Sequence, residues 1–273
     1  MTDRYALIGN PVGHSKSPLI HAGFARQSGQ DMTYITLEAP LDGFNAAVDA
    51  FRANGARGLN VTVPFKTNAY SYATDLMESA RLAGAVNCLK FDGDRVFAEN
   101  YDGVGLVNDI EVNLGFPIRG RRVLLLGAGG AARGAALPLL ARQAAELVIV
   151  NRTVSRARAL KDLFSPHGAV SGCGYADLAG RQFDIVLNAT TTSLHGELPP
   201  ITAEIFAPGC LAYDMVYGKG LTPFLRLARD AGAARLADGA GMLVEQAAEA
   251  FLWWRGVRPA TRAMLDAISV PLI

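Results

Sequence analysis

The sequence has few of the residues that build metal sites and disulfide frameworks. Among 273 residues it holds four histidines and only three cysteines, Cys88, Cys173 and Cys210. The cysteines are odd in number and far apart, and they lack the close spacing of zinc ligands. Unpaired cysteines are typical of a reducing compartment. We therefore expect no bound metal and a cytoplasmic protein.

The sequence also lacks a strong excess of charge and long apolar runs. Its net charge is +1, which gives no field that would attract nucleic acid or an anionic membrane. No apolar run approaches the ~20 residues of a membrane span, and the opening residues MTDRYALIGN do not form a signal-peptide pattern. We expect neither a nucleic-acid nor a membrane partner. With 50% hydrophobic residues, the chain is long enough for roughly two domains of about 150 residues.

What the sequence does contain is an alternation of short apolar strands and helical segments. This alternation is typical of an α/β fold with a parallel sheet. The predicted strands cover residues 5–9, 33–37, 58–63, 86–91, 95–99, 123–126, 147–150, 184–187 and 211–215. The predicted helices cover residues 18–27, 41–54, 77–83, 222–231 and 242–255, with a further helix after the glycines at 127–130. Residues 110–122 form a turn-rich connector that predicts the entrance to a second domain.

A glycine-rich turn joins a predicted strand to a predicted helix at GAGGAA, residues 127–132. Gly127 permits a tight turn, Gly129 lets the backbone approach a pyrophosphate, and Ala132 lets the helix pack closely on the strand. The helix N-terminus then offers free N–H groups to phosphates. The pattern predicts dinucleotide binding, and an ordinary tight turn is the alternative.

The residues after the next strand indicate which dinucleotide is bound. An NAD site usually places a carboxylate there for the ribose hydroxyls, but this chain has Asn151, Arg152 and Thr153, followed by Arg156. Two guanidinium groups are suited to a 2′-phosphate. The segment favours NADP over NAD. Its alternative interpretation is a solvated helix start capped by Thr153 or Ser155.

Polar residues also stand at predicted strand ends in the N-terminal half. Asn60 and Thr62 share one face of a strand because side chains alternate with a period of two, and Lys66 follows in the predicted turn. Ser15 and Ser17 flank a predicted helix start, with Ser17 as the expected N-cap. Solvent exposure explains the strand residues equally well, and an ordinary helix start explains the two serines. The same hydroxyls and helix dipole also suit a substrate carboxylate.

Eight segments, in this order, resemble the shikimate dehydrogenase family across nearly the whole chain. They are IGNPVGHSKSPLIHAGF, GLNVTVPFK, AGAVN, ENYDGVG, LGAGGAA, NRT, YDMVYGKGLTP and DGAGMLVEQA. The resemblance implies the reversible NADPH-dependent reduction of 3-dehydroshikimate to shikimate in aromatic amino acid biosynthesis. It implies an α/β substrate-binding and catalytic domain (residues 1–109), a Rossmann-type NADP-binding domain (110–240) with a cleft between the two, and C-terminal helices (241–273) that return to the first domain.

The resemblance also implies a role for each matching residue. Lys66 and Asp102 would be the catalytic pair, with Lys66 transferring the proton. The substrate carboxylate would bind Ser15 and Ser17. The ring hydroxyls would bind Asn60, Thr62, Asn87, Asp102 and Gln246, with a further contact from Tyr217. The cofactor would bind Gly127, Ala128, Gly129, Gly130, Ala131, Asn151, Arg152, Thr153, Arg156, Met215 and Gly239.

Two positions depart from the family pattern: Tyr101 stands where Thr is usual, and Ala240 where a larger residue is common. One alternative is a quinate/shikimate dehydrogenase that uses NAD or accepts more substrates. Another is a catalytically silent NADPH-binding regulator, which the presence of both Lys66 and Asp102 disfavours. A monomer and a homodimer are both compatible with the sequence.

Overall fold

The computed structural model of the protein describes residues 2–272, which form alternating strands and helices. The strands are β1 (Asp3–Gly9), β2 (Met32–Glu38), β3 (Ala56–Val61), β4 (Asp75–Leu76), β5 (Cys88–Asp92), β6 (Arg95–Glu99), β7 (Arg122–Leu126), β8 (Glu146–Val150), β9 (Val170–Cys173), β10 (Phe183–Asn188), β11 (Phe206–Asp214) and β12 (Arg235–Asp238). The α-helices are α1 (Ser17–Ser28), α2 (Phe44–Ala53), α3 (Lys66–Tyr72), α4 (Glu78–Ala83), α5 (Asp102–Asn108), α6 (Gly130–Ala141), α7 (Val154–Phe164), α8 (Pro223–Asp230), α9 (Ala240–Arg255) and α10 (Arg262–Ile268). A π-helical turn, Asp109–Asn113, follows α5.

The chain divides into two compact units. Of the described residues, the first contains 2–102 and 244–266, and the second contains 103–243 and 267–272. Each unit has one six-stranded sheet with its own hydrophobic core. The two units are defined by compactness and not by function. The assignment of functional domains to residues 1–109, 110–240 and 241–273 therefore stays a prediction.

The sheet of the first unit has the order β2-β1-β3-β5-β6-β4. Strand β1 runs parallel to β2 and β3, whereas β5 is antiparallel to both β3 and β6. The prediction of a parallel sheet is therefore wrong for β5. Only Gly93 and Asp94 separate β5 from β6, and a two-residue connection joins antiparallel strands, since a parallel pair needs a crossover.

The sheet of the second unit is parallel throughout, with the order β12-β11-β10-β7-β8-β9. Numbered within the unit, this order is 3-2-1-4-5-6 when read from β9, the doubly wound arrangement of dinucleotide-binding domains. Strands β7 and β8 are buried on both faces apart from their first residues, which explains their unbroken apolar sequences VLLL and LVIV. The α/β fold class is confirmed.

Two local predictions near the candidate site are wrong. Ser17 is the first residue of α1 and not its N-cap; Lys16 holds the cap position, and its side chain makes no capping hydrogen bond. Lys66 lies at the start of helix α3 and not in a turn. Helix α3 was not predicted because its sequence KTNAYSY is short and mostly polar.

Candidate active site

A lysine and an aspartate form an ion pair in the first unit. Lys66 is the first residue of α3, shortly after β3, and Asp102 is the first residue of α5, shortly after β6. Strands β3 and β6 are both antiparallel to β5, so their carboxyl ends lie at the same edge of the sheet. Nζ of Lys66 contacts Oδ2 of Asp102, and the two side chains are 31% and 14% exposed. Solvent or a ligand can therefore still reach Lys66.

Asn87 holds the other carboxylate oxygen of this pair. Its Nδ2 donates to Oδ1 of Asp102 at 2.8 Å and to Oε1 of Gln246 at 3.2 Å, while its Oδ1 accepts from the backbone N–H of Tyr101 at 2.9 Å. Asn87 is buried and so is Gln246, which comes from helix α9. Burial and three hydrogen bonds fix the orientation of the Asn87 side chain.

Asn60 continues this arrangement from strand β3. It is 4% exposed, and its Nδ2 donates to the backbone oxygen of Asn87 at 3.2 Å. The predicted residues Asn60, Asn87, Asp102, Lys66 and Gln246 are thus brought together in one hydrogen-bonded group. We call this group the amide chain.

The remaining predicted substrate residues lie at three other places in the described residues. Ser15 donates from its hydroxyl to Oγ of Ser17 at 3.2 Å and accepts from the Ser17 N–H, so the two serines form a pair at the start of α1. Thr62 is half-buried just beyond β3, and its N–H donates to the backbone oxygen of Ile8. Tyr217 belongs to the second unit and its side chain is exposed.

The glycine turn lies where β7 meets helix α6. Gly127 has φ +105°, a left-handed region that disfavours any side chain, and its N–H donates to Val150 at 2.8 Å. Gly129 and Gly130 are exposed at the helix start. Within residues 2–272, and apart from adjacent residues and the helix backbone, no heavy atom lies within 4 Å of where a Cβ would stand at either glycine. The start of α6 is therefore open enough for a pyrophosphate to approach its backbone.

Strand β8 ends beside this turn and leads into α7 through Asn151, Arg152 and Thr153. Nδ2 of Asn151 donates to the backbone oxygen of Thr153 at 3.0 Å, which holds the turn. Arg152, Thr153 and Arg156 are not buried, and residues 151–156 contain no carboxylate. Thr153 occupies the N-cap position of α7, although its side chain makes no capping hydrogen bond. The two arginines can therefore reach a phosphate.

Met215 and Gly239 meet beyond the ends of β11 and β12. Gly239 donates its N–H to Val216 at 3.2 Å, and a Cβ at Gly239 would clash with the backbone oxygen of Met215. Only glycine allows this close approach. The half-buried Met215 side chain is thereby held at the end of the sheet.

A buried carboxylate, Asp214, holds the same region, although sequence reasoning did not single it out. Asp214 accepts from the hydroxyls of Ser193 at 2.5 Å and Thr222 at 2.7 Å, from the N–H of Val216 at 3.2 Å and from the Asn188 amide at 3.3 Å. Burial raises the pKa of Asp214, and these hydrogen bonds oppose the shift. The position of Asp214 at the end of a parallel strand is the signal that could have found it.

Comparisons with known proteins show the family of this chain. Family models match residues 7–89 (shikimate dehydrogenase substrate binding domain), 111–195 (shikimate / quinate 5-dehydrogenase) and 239–268 (shikimate 5′-dehydrogenase C-terminal domain). A shikimate dehydrogenase (NADP(+)) of Nitrosospira multiformis is 59% identical over 100% of this chain and 99% of its own length.

This chain belongs to the shikimate dehydrogenase family.

Solved structures show the same relationship. The Ael1 enzyme from Pseudomonas putida is 55% identical, with a TM-score of 0.95 and full coverage of both chains. Shikimate 5-dehydrogenase of Thermus thermophilus, solved in complex with NADP(H) and shikimate, is 31% identical, with a TM-score of 0.87 and 98% coverage of each chain.

The two departures from the shikimate dehydrogenase pattern have simple local explanations. The Tyr101 ring packs edge-on against Trp253 with centroids 6.0 Å apart, while its backbone N–H donates to Asn87. The backbone thus makes the contact with the amide chain, and the side chain packs away from it. Ala240 is buried, and its N–H donates to Oδ1 of Asp238 at 3.1 Å. Its small side chain fits this buried start of α9.

No helix within residues 2–272 is both long enough and apolar enough to cross a membrane. The same residues contain no cluster of three or more histidine, cysteine or acidic side chains that could hold a metal ion.

Proposed function

We propose that the protein catalyses the reversible, NADPH-dependent reduction of the ketone of 3-dehydroshikimate to the alcohol of shikimate. The observation that carries this proposal is the Lys66–Asp102 ion pair held by Asn87 in a chain that belongs to the shikimate dehydrogenase family. A ketone reduction needs a proton for the developing alkoxide, and a partly exposed ammonium group can provide it.

The proposed substrate contacts follow the donors and acceptors of the first unit. Ser15 and Ser17 present two hydroxyls at the start of α1, where the helix dipole also favours a carboxylate. The ring hydroxyls bind polar side chains of the amide chain and its surroundings, with Tyr217 adding a further contact. These side chains are Asn60, Thr62, Asn87, Asp102 and Gln246.

Lys66 has two roles in the proposed reaction. Its ammonium group stabilises the negative charge that develops on the carbonyl oxygen, and it then donates a proton to that oxygen. Asp102 holds the ammonium in place and accepts from a substrate hydroxyl. In the reverse direction, Lys66 accepts the proton from the alcohol of shikimate.

The residues of the second unit fit NADP. Gly127, Ala128, Gly129, Gly130 and Ala131 would hold the pyrophosphate over the open N-terminus of α6. The 2′-phosphate would bind Asn151, Arg152, Thr153 and Arg156, where two guanidinium groups and no carboxylate are available. Met215 and Gly239 would line the nicotinamide pocket, and the bound nicotinamide supplies the hydride.

We assign the substrate domain to residues 1–109, the NADP domain to residues 110–240 and the C-terminal helices to residues 241–273. The three free cysteines are those of a reducing compartment, so we place the enzyme in the cytoplasm. The sequence predicts either a monomer or a homodimer. Light scattering on the purified protein distinguishes the two assemblies.

One assay with four arms tests the proposed function. The purified enzyme is supplied with NADPH or NADH, each with 3-dehydroshikimate or 3-dehydroquinate. We expect the highest kcat/KM with NADPH and 3-dehydroshikimate. Comparable values with NADH and 3-dehydroquinate would support a broader quinate/shikimate dehydrogenase, and no turnover in any arm would contradict the proposal.

A further inference from the structure

Tyr34 lies beneath the amide chain and does not belong to the substrate contacts proposed above. It comes from strand β2, beside β1, and its hydroxyl donates to Oδ1 of Asn60 at 2.7 Å. Burial raises the pKa of the Tyr34 phenol well above its usual range. The hydroxyl therefore stays protonated at neutral pH and remains a donor.

Aromatic packing fixes the position of the Tyr34 ring. The ring stacks on His21, with centroids 4.1 Å apart and an angle of 7° between the planes, and it lies 6.4 Å from the ring of Trp254. His21 is fully buried, and the side chain of Asn60 lies beside its ring. Burial lowers the pKa of His21 to about 3, so this ring acts as an uncharged packing surface that directs the Tyr34 hydroxyl at Asn60.

The hydrogen bond from Tyr34 settles the orientation of the Asn60 amide. An asparagine side chain has one acceptor end and one donor end of nearly the same shape. With Oδ1 accepting from Tyr34, Nδ2 points toward the backbone oxygen of Asn87 at 3.2 Å. Nδ2 carries two hydrogens, and the second is the one that the proposed substrate hydroxyl would accept. Without the Tyr34 hydroxyl, a flipped Asn60 amide no longer gives up a hydrogen bond to Tyr34. The two orientations of the amide then differ less in free energy.

Tyr34 also contacts both the serine pair and the amide chain. The Ser17 hydroxyl lies beside the Tyr34 phenol, while Asn60 leads on to Asn87 and from there to Asp102. A single residue outside the proposed substrate contacts therefore touches both groups of polar side chains.

We propose that Tyr34 is a positioning residue for the reduction, because its hydroxyl orients Asn60 so that Nδ2 donates to a substrate hydroxyl. This inference rests on the proposed function. The bound hydroxyl is remote from the reacting ketone, so the contact acts on the ground state and the transition state alike. Tyr34 consequently affects KM for 3-dehydroshikimate more than it affects kcat.

The substitution Tyr34→Phe keeps the ring on His21 and removes only the hydroxyl. We expect KM for 3-dehydroshikimate to rise about 2- to 13-fold, as the loss of one net hydrogen bond implies. The value of kcat should stay within about 2-fold, and KM for NADPH should not change. A matched control is Tyr72→Phe, which removes a hydroxyl that donates to Asp49 and accepts from Arg52 in the same unit. It should leave all of these constants unchanged.

A double-mutant cycle separates positioning from a merely structural role. If Tyr34 acts through Asn60, then Tyr34→Phe should not raise KM further in an Asn60→Ala background. If the increases in KM from the two substitutions multiply in the double variant, the inference is overturned. An unchanged KM in Tyr34→Phe combined with a lower melting temperature would also overturn it. These outcomes presuppose an active wild-type enzyme; a wild type that does not reduce 3-dehydroshikimate would contradict the proposed function itself.

Discussion

The two candidate sites are built in different ways. In the first unit, Lys66, Asp102, Asn87 and Asn60 already bond to one another. In the second unit, the proposed phosphate site consists of backbone N–H groups at the start of α6 and exposed arginines after β8. The substrate site is therefore organised by side chains that depend on each other, and the cofactor site by backbone shape and independent charges. Substitutions should be strongly coupled in the first site and nearly additive in the second.

Removal of Lys66 should produce the largest effect. We expect Lys66→Ala to lower kcat about 10²- to 10⁴-fold, the usual contribution of a positioned acid or base. The Kd for NADPH should barely change, because the proposed cofactor residues belong to the other unit. A fluorescence titration measures that Kd. Lys161→Ala on α7 is a control with expected wild-type kinetics. A kcat of Lys66→Ala within a few-fold of the wild-type value would show that the ion pair only stabilises the structure.

Arg152→Ala tests the independent charges of the cofactor site. A hydrogen bond to a charged group contributes about 1.5–3 kcal/mol, so NADP should bind roughly 10- to 150-fold more weakly while NAD changes little. Arg158→Ala, at an exposed position of α7, should leave both affinities unchanged. Calorimetric titration of each variant with both cofactors makes the comparison. Equal weakening of NAD and NADP would mean that Arg152 supports the fold and does not recognise the phosphate.

The buried histidine beneath the substrate site should make the first unit sensitive to acid. Burial lowers the pKa of His21 to about 3 in the folded protein, from 6.5. The unfolded chain therefore takes up a proton first as pH falls, and stability is lost from about pH 6.5 downward. At pH 5 the loss from this one group is about 2 kcal/mol of the free energy of unfolding.

Urea unfolding at about pH 7.5 and pH 5, on either side of the unfolded-state pKa, checks this expectation. His21→Phe should reduce the pH dependence by about that amount, whereas His167→Gln, at an exposed position, should not. An unchanged pH dependence in His21→Phe would show that other groups cause the acid sensitivity.

The serine pair should give the smallest effect. Ser15→Ala and Ser17→Ala should each raise KM for 3-dehydroshikimate by about 2- to 13-fold, with little change in kcat, because the carboxylate is remote from the ketone. Ser17 makes no capping hydrogen bond, so its loss should not cost the stability that a true N-cap provides. Ser71→Ala, exposed on α3, is the control. Unchanged kinetics in both serine variants would place the carboxylate elsewhere.

Local patterns were enough to predict the central strands. Residues 123–126 and 147–150 were predicted, and β7 and β8 each begin only one residue earlier, because buried parallel strands have short apolar sequences. The edge strands β9 and β12 were missed. Their residues are mostly half-buried or exposed, so they carry no apolar signal.

The hydrogen bonds within the candidate site were harder to predict than the identity of its residues. Asn87 and Gln246 bond across 159 residues of sequence, and no local period links such positions. Tyr34 was missed for the same reason, since its hydroxyl bonds to Asn60 on another strand. Asp214 was missed although its place at the end of a parallel strand was a usable signal. The resemblance to the family supplied candidate residues, whereas their hydrogen bonds depend on the tertiary structure.

A double-mutant cycle on the catalytic pair tests most directly whether the substrate site works as a coupled unit. The values of kcat and kcat/KM with NADPH and 3-dehydroshikimate are measured for wild type, Lys66→Ala, Asp102→Asn and the double variant. Asp102→Asn alone should lower both turnover and substrate affinity. We expect the double variant to lose less than the product of the two single losses, because the residues act as a unit. Losses that multiply would show that Lys66 and Asp102 act independently, and would contradict the coupling inferred for this site.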